Sequence, residues 1–529
     1  MPNEDSAGTP KIPPPDVDWI YPEQALASLG KYIDACFRAD DRRGTRAALS
    51  LIHGANTIDW SADFRGQLHY FESNVWADLR DPSWDKKEAG WPWDSPEVEG
   101  QILSLRKAIL SGLSTKVTPP WMPMAWTNLG NAMDHVGRPI EALEAWTQAL
   151  DLDNRRAMAR GNRGMGFVNF GKALHDNHYK ILFLAAAHRD LTEAMSDIKH
   201  LEPEAQATFS GLLASLDRFF GGKPAADVLA TPDFPLGDSE EERSYRRWCL
   251  DNRLCLNPLN DLDTWTVASH DVLTLPTITS KDFQPEEWIA LFNQIKQEFA
   301  SARYLIYDGF KSTEPHFSDR GVRLVNPLDY STYSLASEKV KAGYRMAYSL
   351  FDKIAFLLND YLELGLSDRH VSWKTIWYEK GKKEKGLRPK FRGRANRALR
   401  GLYWLSKDLY EDTPGFQEAL LPDARDLADI RHHTEHKLLR LQDPIGAAVA
   451  EARPFPEPPR GRRLGYSLTY DVFKTRALRL LKTARAGVMY LSLAIGEEES
   501  AETARFDPRT PAVPMITDIF EDHWKRPPA

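Results

Sequence analysis

The chain has 529 residues, enough for two to four domains that each bury a core, and its 42% hydrophobic and 27% charged residues are those of a globular protein. A net charge of -7 excludes a uniformly basic nucleic-acid binder, so any contact with nucleic acid has to come from a local patch. Three scattered cysteines (Cys36, Cys249, Cys255) give neither a zinc cluster nor a disulfide framework and fit a reducing compartment. They are expected to be buried thiols, and no metal or cofactor is expected. Residues 1–16 are polar and proline-bearing, without the apolar segment of a signal peptide or anchor. The longest apolar stretch, 487–495, is far short of the ~20 residues a membrane span needs, and the sequence reads as cytoplasmic.

In chain order, residues 1–20 read as a disordered segment. A degenerate helical pair is expected within 25–51. An aromatic-rich helix follows around 70–79, with its partner over Gln101-Ile102-Leu103-Ser104-Leu105-Arg106-Lys107-Ala108. From Trp126 the sequence WTNLGNAMDHVGRPIEALEAWTQALDLDN resembles the tetratricopeptide (TPR) repeat at Trp126, Leu129, Gly130, Gly137, Ala142, Trp146 and Ala149. Small residues at 130 and 142 let two antiparallel helices approach, the tryptophans fill the wedge, and Gly137 makes the turn. Asn154 stands where that family usually has proline. Asn162-Arg163-Gly164 with Phe167 and Gly171 repeats this register about 34 residues later. Isolated repeats cannot bury their faces, so an array is expected over 21–225. Residues 226–330, with prolines and the phrase LCLNPLNDLDTW, form a mixed connector region without a clear periodicity.

Four amphipathic helices follow, at 335–362, 394–410, 416–441 and 470–495, and they predict a bundle over 331–500. Residues 501–529 read as an extended tail. The chain is thus mainly α, with an N-terminal helical repeat array, a connector and a C-terminal four-helix bundle.

The third bundle helix contains LADIRHHTEHKLLRL, in which Leu427, Ile430, Thr434, Leu438 and Leu441 define a core stripe. Beside it lie Arg431, a permanent cation whose planar fork suits phosphate, and His432 and His436, which titrate near neutrality and share a face. That set suits RNA cleavage by attack of the ribose 2′-hydroxyl on the neighbouring phosphorus. The reaction needs proton transfer and charge stabilisation and no metal. Two competing readings are a solvated Arg431–Glu435 ion pair and a two-histidine metal pair; the second has no obvious third ligand.

Arg431-x4-His436 on the third helix of a four-helix bundle resembles the Rx4-6H motif of the HEPN superfamily. The phrases AYSLFDKIAFLLNDY, NRALRGLYWLSKDL, LNPLNDL and SARYLIYDGF resemble its TPR-linked branch, over roughly 245–495. The resemblance implies a metal-independent endoribonuclease of bacterial immunity, toxin or stress systems, working as a homodimer through the HEPN domain. Arg431 and His436 would be its catalytic pair. His432, where the superfamily often has another polar residue, would orient His436 or touch substrate, and Asp352 would orient Arg431 or a histidine.

Residues 380–400 hold ten basic residues and one acid, Glu384. Lys382, Lys383, Arg388 and Lys390 are the expected contacts to an RNA backbone, in a loop that adds nothing to the core, with Trp373, Trp377 and Tyr378 as neighbouring stacking groups. The repeats are expected to bind a protein or peptide partner and to be separable from the chemistry. The alternative function is a non-catalytic adaptor that binds RNA or protein and uses the repeat groove.

Overall fold

The computed structural model describes residues 10–80, 93–223, 225–230, 233–280, 287–326, 330–410, 427, 430–431, 434, 437–442, 465–503, 513–515, 520 and 522–525. Helices α1 (Pro22–Arg38) and α2 (Arg42–Ala55) come first, then α3 (Ala62–Leu79) with α4 (Pro96–Leu113), α5 (Met122–His135) with α6 (Pro139–Leu152), and α7 (Ala157–Ala173) with α8 (Asn177–Ser196). The array ends with α9 (Pro203–Phe220) and the short α10 (Ala225–Leu229). Each of the last three pairs packs as an antiparallel hairpin, α4 packs on α5 and α6 on α7, and α1 also touches α3, α5 touches α7, and α7 touches α9.

Local chemistry sets the helix starts. Proline occupies the first turn of α1, α4, α5, α6 and α9, where its missing N–H costs nothing. Ser95 caps α4 by accepting from Val98 N, and Asp176 caps α8 by accepting from His178 N and Tyr179 N. The close approach read from the sequence at Gly130 and Trp146 is present. Trp146 is fully buried, and a side chain at Gly130 would collide with its indole 2.4 Å away. The wedge residue at this site contributes about 3 kcal/mol.

The 226–330 region is more ordered than its composition suggests. It contains α11 (Glu240–Asp251), the strand β1 (Ile278–Ser280) and the long α12 (Glu287–Lys311). Arg485 is buried and makes a two-pronged ion pair with Asp261 at 2.8 and 2.9 Å, and it also donates to the carbonyls of Cys255 and Asn257. Arg303 grips Asp271 in the same way, at 2.9 and 2.6 Å. The LNPLND phrase is therefore a buried clamp. All three cysteines are free and buried, and burial pushes the Cys249 thiol up to about 11.

The bundle differs from expectation in two ways. Among the described residues its helices are α12, α13 (Leu335–Tyr361), α14 (Arg397–Tyr410) and α15 (Tyr470–Thr503), and the most extensive packing is of α12 on α13. The segment expected as a helix over 416–441 is helical at Leu427, Ile430, Arg431 and Thr434, but Leu438–Gln442 is a strand, β2. It pairs in parallel with β3 (Gly465–Thr469), Leu438 opposite Gly465. In the expected tail, β4 (Val513–Met515) pairs antiparallel with β1.

One contiguous core runs from Trp93 through the array and the clamp to Ile495, while α1 to α3 enclose a smaller one. Array and bundle are joined by buried polar contacts. Asp408 of α14, 4% exposed at its side chain, is held between Arg106 of α4 (3.2 Å) and Arg138 at the start of α6. Arg138 also binds Glu141 at 2.6 Å, and Glu141 accepts from the Tyr490 hydroxyl of α15. Lys407 reaches Asp94 and Glu99. The two backbones meet at Gly137 and Gly401, where a Cβ on either would lie 2.1 Å from a carbonyl oxygen of the other segment. Among the described residues no helix is long and apolar enough to cross a membrane.

Candidate functional site

The face of α13 that carries Tyr348 and Asp352 organises the site. These residues are four apart and so sit one helical turn from each other on the same side. The helical stretch through Leu427, Ile430 and Arg431 lies against this face: Leu427 and Ile430 are buried, and the Tyr344 hydroxyl donates to the Leu427 carbonyl at 2.9 Å. Arg431 emerges half-buried, its guanidinium 4.9 Å from the centre of the Tyr348 ring. A cation stacked on an aromatic face is oriented by the ring quadrupole while its planar fork keeps the geometry that suits a phosphate. Thr434 ties the turn by donating to the Ile430 and Arg431 carbonyls, both at 2.9 Å.

His432 and His436, the other expected members of the motif, lie outside the described residues. Asp352, expected to orient Arg431 or a histidine, has a different described partner: its Oδ1 accepts from Trp373 N at 3.0 Å. It thereby fixes the root of the basic segment to α13. Tyr348, the ring beneath Arg431, was not anticipated, although its place four residues before Asp352 was there to be read.

The basic segment is a folded hairpin. Tyr378 bridges to Leu387, Glu379 N donates to the Gly386 carbonyl at 2.9 Å, and Lys380, Gly381 and Gly386 turn the chain with φ of 54°, 68° and 75°. Trp373, Trp377 and Tyr378 are not stacking groups for a ligand. They are buried, with Trp377 packed among Trp93, Phe391 and Tyr403 at centroid distances of 5.3 to 6.5 Å.

The ten cations divide by role. Arg388 donates to the Ile376 carbonyl at 2.7 Å, and Lys390 donates to the carbonyls of Leu362 and Glu363 at the end of α13, both at 2.7 Å. These two expected RNA contacts therefore hold the hairpin in place. Arg392, Arg394 and Arg397 pair with Glu379, Glu498 and Asp134, and Arg400 is buried. Lys380, Lys382, Lys383 and Lys385 remain exposed at the hairpin tip.

A family model for LA2681-like HEPN domains matches residues 279–498. The C-terminal part of this chain is a HEPN domain. The match begins at β1, so it takes in α12, which the sequence reading had placed in the connector, and the HEPN bundle runs from α12 to α15. Arg431 lies inside it. Comparison with curated proteins and with solved structures returned no match. Among the described residues no group of three or more histidine, cysteine, aspartate or glutamate side chains is placed to hold a metal ion.

Proposed function

We propose that the protein is a metal-independent HEPN endoribonuclease whose helical array, TPR-like in sequence, acts as sensor or scaffold for a protein partner. In this reading it is a bacterial antiviral-defence or toxin-like effector working as a homodimer through its HEPN domains. The observation that carries it is the Arg431 guanidinium laid over Tyr348 on the α13 face, beside the hairpin that Asp352 anchors. Arg431 neutralises charge on the scissile phosphate. His436 moves the proton, as base towards the 2′-hydroxyl or as acid towards the leaving oxygen, and His432 orients it. The lysines at 380, 382, 383 and 385 attract the RNA backbone.

The test is incubation of the full chain with mixed RNAs in EDTA. Wild type is expected to cut, leaving 2′,3′-cyclic phosphate ends, whereas His436→Ala and Arg431→Lys do not, since a point charge cannot replace the planar fork. Loss of cutting in EDTA, 3′-hydroxyl products or an active Arg431→Lys variant would each overturn the assignment. Binding of RNA with no cleavage by wild type would favour the adaptor instead.

A further inference from the structure

Between α1 and α3 the array opens into a groove of about 760 Å³, within the range of specific ligand sites. Its floor is apolar, with Leu26, Ile33, Phe64 and Phe71, and its walls carry Glu23, Asp34 and Asp63, while no lysine, arginine or histidine lines it. The groove thus offers apolar contact together with uncompensated negative charge.

The complementary chemistry is exposed elsewhere on the same chain. Between α12 and α13 the segment Arg320-Gly321-Val322-Arg323-Leu324-Val325 stands wholly in solvent, with Val322, Leu324 and Val325 at 59%, 60% and 91% exposure. Arg320 and Arg323 are exposed as well and have no salt-bridge partner among the described residues. Monomeric proteins rarely leave such contiguous apolar side chains in water without a partner for them. Aliphatic side chains alternating with two arginines match an apolar floor between acidic walls in both respects.

We propose that the α1–α3 groove of one copy receives the 320–325 strap of a second copy. Groove and strap are different surfaces, so the contact is head-to-tail, and it either closes into a ring or propagates. The proposal rests on the reading of the array as a protein-binding module and is independent of RNA cleavage.

The test is sedimentation of the full chain, without RNA, across the micromolar range. Wild type is expected to form species larger than the dimer made through the HEPN domains, and to do so more weakly as salt rises. Asp34→Lys and Arg323→Glu should each weaken association by about tenfold or more. Mixing the two single variants should restore it, because the mixture again contains an intact strap from one chain and an intact groove from the other. Both side chains are exposed, and matching thermal melts of the variants and wild type check that the fold is kept. A wild type that goes no further than a dimer, single variants that associate like wild type, or a mixture that stops at the dimer would each overturn the proposal. None of these outcomes bears on the nuclease assay, so the two readings fail separately.

Discussion

Replacing Asp408 by asparagine should uncouple the array from the HEPN bundle, and the structure sets the size of the effect. The side chain is 4% exposed, between an Arg106 side chain 12% exposed and an Arg138 side chain 5% exposed. At the effective dielectric of protein sites each close pair attracts by about 4 kcal/mol, and the cost of burying the ions offsets most of this. Removing the anion leaves that cost uncompensated: Arg138 keeps Glu141, but Arg106, already pushed down to about 10 by burial, keeps no acid of comparable proximity among the described residues. The expected loss is about 3–5 kcal/mol. Urea unfolding is the appropriate assay, because guanidinium chloride would screen the ions being measured. A triple variant with Arg106→Leu, Arg138→Met and Asp408→Leu should recover most of the loss, since no charge is then left buried. An Asp408→Asn protein within about 1 kcal/mol of wild type would refute the argument.

Gly401→Ala should be at least as damaging, because its Cβ would lie 2.1 Å from the Gly137 carbonyl oxygen, and two backbones cannot yield as a flexible side chain would; thermal melting reads this directly. His135 should make stability depend on pH. Burial, with Arg400, Arg80 and Arg397 nearby, pushes its imidazole down to about 3. Below an unfolded value near 6.5 the unfolded chain takes up a proton that the folded chain refuses, so about 2 kcal/mol should be lost by pH 5, and His135→Gln should flatten this part of the urea-midpoint profile. The hairpin lysines should separate by role. Lys382→Ala with Lys383→Ala should lower the log–log salt slope of filter-binding by about 0.7 per lost contact without changing the melt, whereas Arg388→Ala with Lys390→Ala should cost about 1–3 kcal/mol in stability by leaving their carbonyls unpaired.

The array was legible wherever one residue does one job. Gly130 and Trp146 can be read because a small residue and a large one must coincide at a helix crossing. The missed helix α12 was equally readable, with Trp288, Phe292, Ile295, Phe299, Ala302 and Ile306 alternating three and four apart, but the prolines before it drew attention to irregularity. Strand β2 was not readable. Leu438 and Leu441 continue the helical spacing of Ile430 and Thr434, and five residues are too few for a period of two to show against it. The role of Trp377 and Phe391 was hidden for another reason: aromatics beside cations suit both an RNA surface and a core, and only Trp93, almost 300 residues earlier, decides between them. The same distance in sequence conceals that array and bundle share a core. The expectation that deleting residues 1–225 changes regulation more than chemistry has to reckon with this shared core, since the deletion also exposes the face of the bundle that the array covers.

The parallel pairing of β2 with β3 gives the molecule a mechanical linkage. The motif stretch runs almost directly into β2, and β3 enters α15 with no intervening residue, since Thr469 ends the strand and Tyr470 begins the helix. At its far side α15 touches the array through Tyr490 and Glu141, and through Lys482 and Glu144 at 3.0 Å. Two strands can slide past each other only in steps of two residues if their side chains are to keep their faces, which is about 6.6 Å of travel. While the ladder holds, β2 and β3 move as one piece, so α15 and the stretch that carries Arg431 keep a fixed register, and a slip of one step would exceed the 4.9 Å that separates the guanidinium from its ring.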